Sequence, residues 1–200
     1  MKIERLVVGP EQTNCYLLIN DGDLVIVDPG AGARRIIDKI ESYDAKVQGI
    51  LLTHGHFDHI GAVDTLYNKY NCKIYASKDD EKILTDIRYN SYFGESATVT
   101  SPVTWLDSAS VSLGNLQFDV IYSPGHTSGS VMYRYGNCLF SGDTLFKESV
   151  GRTDLYSGSY SQLLQSLEVI KELPYDMVVF PGHGFETTIG EELKNNPFLQ

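Results

Sequence analysis

Five histidines, at positions 54, 56, 59, 126 and 183, constrain this chain more than any other feature, because three of them share the seven residues "THGHFDH". Clustered imidazoles crowd one another and compete for protons, so the cluster implies a task. All five follow strand-like runs, in "LLTHGHFDH", "YSPGHTSG" and "VFPGHGFE". His56, His126 and His183 each follow a glycine, which lets the backbone turn tightly and present a ring into a cleft. Asp143 closes a further strand-like run in "FSGDT". A fold for this sequence must gather these strand-end loops, where sites are commonly built.

The donor spacing suggests how. In an extended stretch His54 and His56 point the same way and can share one cation. Asp58 and His59 follow directly and reach a second. His126 completes the first position, His183 the second, and Asp143 is the candidate bridge. Seven N/O donors suffice for two cations about 3.5–4 Å apart with a hydroxide between them. A lone loop histidine is ordinarily solvated or capping, but H-x-H-x-D-H puts four donors in six residues. Structural zinc usually recruits cysteine and closes its site with four ligands. Donors shared over a pair leave positions open, which favours catalysis. Imidazole and carboxylate suit zinc, iron or manganese.

A length of 200 residues suggests one domain, 1–200. A net charge of −10 with no basic run disfavours nucleic acid as a partner. No signal-peptide layout and no apolar run of about 20 residues is present, so no membrane partner is expected. Cys15, Cys72 and Cys138 are odd in number, far apart and without a C-x-x-C pair, which fits core packing in a reducing cytoplasm.

Apolar patterning predicts strands at 15–19 and 24–28 joined by "NDGD", then a helix with Ile36, Ile37 and Ile40 on one face. A buried strand at 47–53 leads into the histidine loop, followed by one helix carrying Ile60, Val63, Leu66 and Tyr67. After a strand at 73–76, Ser77 and Asp80 resemble a capping box for a helix to about Asp86. Residues 88–101 lack a period and read as a loop, with Tyr89, Tyr92 and Phe93 expected to pack. Strands follow near 103–106, 111–113 and 116–122, then a hairpin of "VMYRY" and "CLFSGD" turned by Gly136-Asn137. A helix with Leu163, Leu164, Leu167 and Ile170 on one face, a last strand at 177–180 and a short helix near Glu191 complete the chain. Both halves run strands then helices, which suggests two packed sheets with helices outside.

The motifs "THGHFDH", "PGHT", "SGDT" and "PGHG", in that order and preceded by "VDPG" at 27–30, resemble the metallo-β-lactamase superfamily over nearly the whole chain. That resemblance implies an α+β/α/β class, a four-layer αββα sandwich with the metals at one edge between the sheets. It implies the same ligand set, His54, His56, Asp58, His59, His126, Asp143 and His183. It also implies that Asp28 is buried and hydrogen-bonds the metal loop; a simple turn-forming role before Pro29 is the alternative. Within the superfamily, "GDTLF", "VGRTDL" (150–155) and the ending "NPFL" resemble the short, single-domain glyoxalase II (hydroxyacylglutathione hydrolase) kind. Two-domain members carry an added C-terminal helical part that helps hold glutathione. The short form implies thioester hydrolysis without implying glutathione specificity.

The implied reaction is hydrolysis of a small-molecule thioester such as S-lactoylglutathione. A hydroxide bridging two divalent cations, zinc first with iron or manganese as alternatives, attacks the carbonyl, while Asp58 orients it or takes a proton. Thiols have pKa near 8.5, so a thiolate leaves more readily than a lactam nitrogen. Arg152 is the candidate carboxylate clamp, with an internal Arg152–Asp154 pair as its alternative; Lys147 and Tyr156 are further substrate-binding candidates. The rival readings are a persulfide dioxygenase with one iron on His54, His126 and Asp143, a hydrolase of another ester or lactone, and a non-enzymatic metal-binding domain. The sequence sets no oligomeric state.

Overall fold

The computed structural model describes residues 1–92 and 94–200. In chain order, β1 (Lys2–Val8), β2 (Thr13–Asn20) and β3 (Asp23–Val27) form an antiparallel meander. Asp21 and Gly22, both at positive φ, make its second turn, as the Asn-Asp-Gly-Asp run predicts. Next come α1 (Ala33–Ile40), β4 (Lys46–Leu51), the one-turn α2 (Phe57–Ile60), α3 (Val63–Tyr70) and β5 (Lys73–Ala76). Then α4 (Glu81–Thr85), a small hairpin of β6 (Ser91–Tyr92) and β7 (Glu95–Ser96), and β8 (Val103–Trp105) complete the first half. Strands β3, β4, β5 and β8 run parallel, giving a mixed sheet ordered β1-β2-β3-β4-β5-β8.

The second half repeats the plan. Strands β9 (Ser110–Leu113), β10 (Leu116–Tyr122), β11 (Val131–Tyr135) and β12 (Cys138–Gly142) are antiparallel neighbours. A small hairpin, β13 (Leu145–Phe146) with β14 (Ser149–Val150), leads to α5 (Tyr160–Lys171), β15 (Val178–Pro181), β16 (Thr187–Thr188) and α6 (Ile189–Asn195). Strand β15 pairs parallel to β12, so the sheet is ordered β16-β15-β12-β11-β10-β9.

Alternation along the strands builds the layers. Leu17, Leu24, Ile26 and Ile50 face Ile36, Ile40, Val63 and Leu66 of α1 and α3. The opposite face, with Tyr16, Leu18, Val25, Val27 and Leu51, packs on Phe118, Val120, Tyr133 and Phe140 of the second sheet. Beyond that sheet, Met132, Leu139 and Val179 pack on Leu163, Leu167 and Ile170 of α5. The result is helix, sheet, sheet, helix, the αββα sandwich expected from the sequence. Cys15 and Cys72 are buried and Cys138 is half-buried, all as free thiols. Among the described residues no helix is long and apolar enough to cross a membrane.

Several sequence expectations need correction. The helix after the histidine loop is two helices, because the chain breaks at Gly61–Ala62 to pack on the 28–30 turn, where Ala62 N donates to Pro29 O at 2.9 Å. The capping box is half made: Ser77 Oγ accepts from Asp79 N, but Asp80 turns inward to distant loops. The 88–101 stretch holds a turn of 3-10 helix at 87–89 and the β6–β7 hairpin. Leu164 lies off the buried stripe of α5 and is 40% exposed. The strand predicted last is followed by β16. Phe93 lies outside the described residues.

Candidate metal centre

The sheet ends assemble the histidines and aspartates. His54 follows β4, His56 caps the N-terminus of α2, and Asp58 and His59 lie in its single turn. His126 sits in the β10–β11 loop. Gly142 of β12 pairs with Pro181 of β15, which sets Asp143 beside His183. Gly182 between them has no room for a side chain, since a Cβ would stand 2.2 Å from Asp143 Oδ1 and 2.8 Å from His59 Cε1.

All seven predicted residues converge. They fall into three overlapping triads: His54, His56 and His126; Asp58, His59 and His183; and His54, His59 and Asp143, which joins the first two. His56 Nδ1 faces His126 Nε2 at 2.8 Å, and His59 Nε2 faces His183 Nε2 at 3.4 Å. Asp143 Oδ2 lies 3.5 Å from both His126 Nε2 and His183 Nε2, and its Oδ1 3.4 Å from His59 Nε2.

The outward nitrogens of four rings are held by protein groups. His126 Nδ1 lies 2.7 Å from Arg152 O, His183 Nδ1 3.1 Å from Glu11 O and His54 Nδ1 3.1 Å from Thr53 Oγ1. His59 Nδ1 lies 3.0 Å from Asp28 Oδ2. Such partners fix ring orientation and raise ligand basicity. Asp28 also accepts from Thr53 N at 2.8 Å and Thr53 Oγ1 at 2.6 Å, and its φ is +50°. Of the two alternatives read from the sequence, the buried anchor of the loop is the one the structure has, and its positive φ places it at the turn before Pro29.

Burial keeps His54 and His56 neutral: it presses His54 well below the ordinary histidine pKa, and with His126 nearby it lowers His56 to about 3. Burial also opposes charge on His59 and His183. There the carboxylates outweigh it: Asp58, Asp143 and Asp28 raise His59 well above its ordinary value, and Asp143 and Asp58 raise His183 to about 9. Burial likewise opposes ionisation of Asp58 and Asp143, yet His59 and His183 hold both carboxyls low, Asp58 at about 2.

His54 Nε2 and Asp143 Oδ1 are buried with no hydrogen-bond partner. Buried polar atoms are rarely left so, since desolvation without compensation is costly. Both residues belong to the triad that joins the other two, where a cation would satisfy such atoms. The donors are nitrogen and oxygen throughout, and with these two atoms they fit divalent metal ions.

Beside the cluster lies a cavity of about 270 Å³, walled by Phe57, Arg88, Tyr89, Tyr92, Arg152 and Tyr156. Arg152 reaches it while also making the internal pair, with Nε and Nη2 on Asp154 at 2.7 and 2.8 Å and Nη1 donating to Tyr92 Oη at 2.8 Å. Tyr156 packs on Tyr89 in a tilted arrangement, centroids 4.3 Å apart and planes at 41°. Lys147 does not line this cavity: it sits in the turn of the β13–β14 hairpin, on a neighbouring depression with Phe146 and Phe185 that shares His183 with the centre.

Sequence reasoning missed the supports. Buried Asp80 accepts from Gly55 N, Gly129 N and Thr127 Oγ1, each at 2.8 Å, tying the loop of His54 and His56 to that of His126. Asn90 accepts from Phe57 N at 2.7 Å and donates to Gly55 O at 2.8 Å. The signal available for Asp80 was only that a charged residue sat where a helix cap was expected.

The family model for the metallo-beta-lactamase superfamily matches residues 8–183. The chain belongs to the metallo-β-lactamase superfamily. Relatives in this superfamily include the probable metallo-hydrolase YqgX of Bacillus subtilis, 37% identical over 100% of this chain and 98% of its own length. The hydroxyacylglutathione hydrolase GloC of Haemophilus influenzae is 35% identical over 100% and 98%. Among solved structures, the BLEG-1 B3 metallo-β-lactamase superposes with a TM-score of 0.95, at 40% identity and 99% of each chain. TTHA1623 in a di-iron-bound form gives 0.90, at 34% identity, 98% of this chain and 100% of that one. ETHE1 of Myxococcus xanthus gives 0.81, at 29% identity over 98% and 84%. The metallo-β-lactamase fold, a metal-dependent hydrolase class and a His/Asp cluster suited to divalent cations thus go together in this chain.

Proposed function

We propose that this chain is a binuclear hydrolase that cleaves a small-molecule thioester such as S-lactoylglutathione. One observation carries the reading: both triads are complete, Asp143 joins them, and the cluster borders the cavity. Two bound cations, zinc first and iron or manganese on the same donors, would lower the pKa of a solvent molecule toward about 7 and polarise the substrate carbonyl. His54, His56 and His126 would hold one, Asp58, His59 and His183 the other, with Asp143 between. In the metal-free chain burial opposes ionisation of Asp58, but His59 and His183 hold its carboxyl at about 2, so it is ionised at neutral pH and available as a ligand and orienting group.

The chain's own residues shape the rest. Phe57, Tyr89 and Tyr156 give the cavity apolar walls for the body of the substrate, and Arg152 can set a carboxylate of the substrate. A thiolate leaves with little help because thiols ionise near pH 8.5, whereas an amine must be protonated as it departs. A wall of aromatic rings and arginines suits the first case. The name of the Haemophilus influenzae relative supports the same chemistry. Free cysteines and the lack of a membrane-crossing helix among the described residues fit a place in the cytoplasm.

The second reading, a single iron on His54, His126 and Asp143 acting on a persulfide with oxygen, draws on the likeness to ETHE1, and on the di-iron-bound neighbour for iron as the metal though not for its number. Three assays on one metal-loaded preparation separate the readings: S-lactoylglutathione hydrolysis, nitrocefin hydrolysis, and oxygen uptake with glutathione persulfide. Thioester turnover with two ions per chain is expected. Oxygen uptake with one iron, or lactam turnover without thioester turnover, would overturn the proposal.

A further inference from the structure

The two triads are braced by different parts of the chain. The first is held through Asp80, whose partners Gly55, Thr127 and Gly129 flank His54, His56 and His126. The second is held by the start of β2, in the same sheet as the strand that leads to Asp58 and His59. Thr13 is fully buried, and its hydroxyl donates to Asp58 Oδ2 at 2.7 Å. That bond fixes the carboxylate rotamer in which Oδ2 stands 3.2 Å from His183 Nε2 and 3.4 Å from His59 Nε2. Backbone and side-chain bonds from β2 do the rest. Thr13 bridges to His183, Asn14 N donates to Gly182 O at 2.7 Å, and Asn14 Nδ2 donates to Pro181 O at 2.9 Å and Gly184 O at 3.0 Å. Tyr16 Oη adds a bond to Pro181 O at 2.7 Å.

We propose that Thr13 is a positioning residue that sets the occupancy of the Asp58–His59–His183 position independently of the His54–His56–His126 position. The proposal rests on the two-cation reading. Thr13→Val keeps the branched shape and the backbone bonds of the strand and replaces the hydroxyl with a methyl, which cannot donate to Asp58 and cannot sit at 2.7 Å from its Oδ2. His183 therefore stays in place, and Asp58 loses the donor that orients it. Partners of this kind are worth about 10–100-fold in metal affinity.

Zn²⁺ titration of metal-stripped protein by calorimetry, with Co²⁺ absorption spectra as a second readout, tests the proposal. Wild type should take two ions per chain. T13V should bind the first with wild-type affinity and the second about 10–100-fold more weakly, while Thr13→Ser, which keeps the hydroxyl, restores both. Circular dichroism checks each variant's fold, and Thr13→Ala carries the same test if T13V does not fold. Two ions at wild-type affinities in T13V, equal weakening of both ions, or a T13S variant that behaves like T13V overturns the proposal. A wild type that takes one ion overturns the binuclear reading, and the inference falls with it.

Discussion

Gly182→Ala should disable the centre while leaving the fold largely intact. The Cβ it adds would lie 2.2 Å from Asp143 Oδ1, 2.8 Å from His59 Cε1 and 3.1 Å from Gly142 C. Ordinary van der Waals contact begins near 3.4 Å, so the joining carboxylate must retreat by about 1 Å or slightly more. Misplacement on that scale costs on the order of 100-fold in rate, equivalent to about 2.7 kcal/mol of barrier. Overpacking costs a further 1–3 kcal/mol or so of stability. The assay is steady-state hydrolysis alongside metal content and thermal melting. A control separates space from backbone conformation: Gly22 has φ +82° and nothing within 4 Å of its Cβ position. Gly22→Ala should therefore cost roughly 1–2 kcal/mol of stability for a left-handed residue and leave metal content and kcat unchanged. A G182A enzyme with two ions and wild-type kcat would refute the reasoning that Asp143 is held where the structure has it.

The other predictions concern binding, charge and the anchor. Arg152→Ala should raise KM by about 10-fold or more with a smaller fall in kcat, since one charge-assisted carboxylate contact contributes on the order of 1.5–3 kcal/mol; an unchanged KM leaves Arg152 a purely internal partner of Asp154 and Tyr92. Asp28→Asn removes the charge facing His59 and Thr53 and should lower both stability and metal retention, by about 3–5 kcal/mol if the buried pair is broken outright, read from denaturant unfolding. The metal-stripped protein should be most stable near pH 6.5. His183, raised from 6.5 to about 9, contributes stability that is complete below pH 6.5 and lost as pH rises through 9, whereas His56, lowered to about 3, contributes above pH 6.5 and loses it as pH falls toward 3. A melting temperature that is flat from pH 5 to 9 would contradict this.

Much of the site is legible in the sequence because its donors are chemically distinctive and lie at strand ends. His54 to His59 announce themselves by spacing, and Asp143 and His183 by glycine-rich turns after apolar strands. What holds those donors is less visible. Asp80 satisfies a local capping rule, and only the fold shows that its partners lie 25 and 49 residues away, at Gly55 and Gly129. Thr13 is one more threonine in a strand until the loop carrying Asp58 is laid across it. The β6–β7 hairpin has two-residue strands of polar and aromatic residues, too short for any period to register. Leu164 satisfies the helical stripe but falls where α5 turns toward solvent. Lys147 follows Asp143 closely in sequence, yet the β13–β14 hairpin carries it away from the cavity.

The central claim is that both triads hold a cation. Anomalous diffraction from crystals of the metal-loaded protein, recorded at the metal's absorption edge, tests it most directly. Two peaks about 3.5–4 Å apart, one among His54, His56 and His126 and one among Asp58, His59 and His183, are the predicted result. A single peak, or a pair placed away from Asp143, would contradict it.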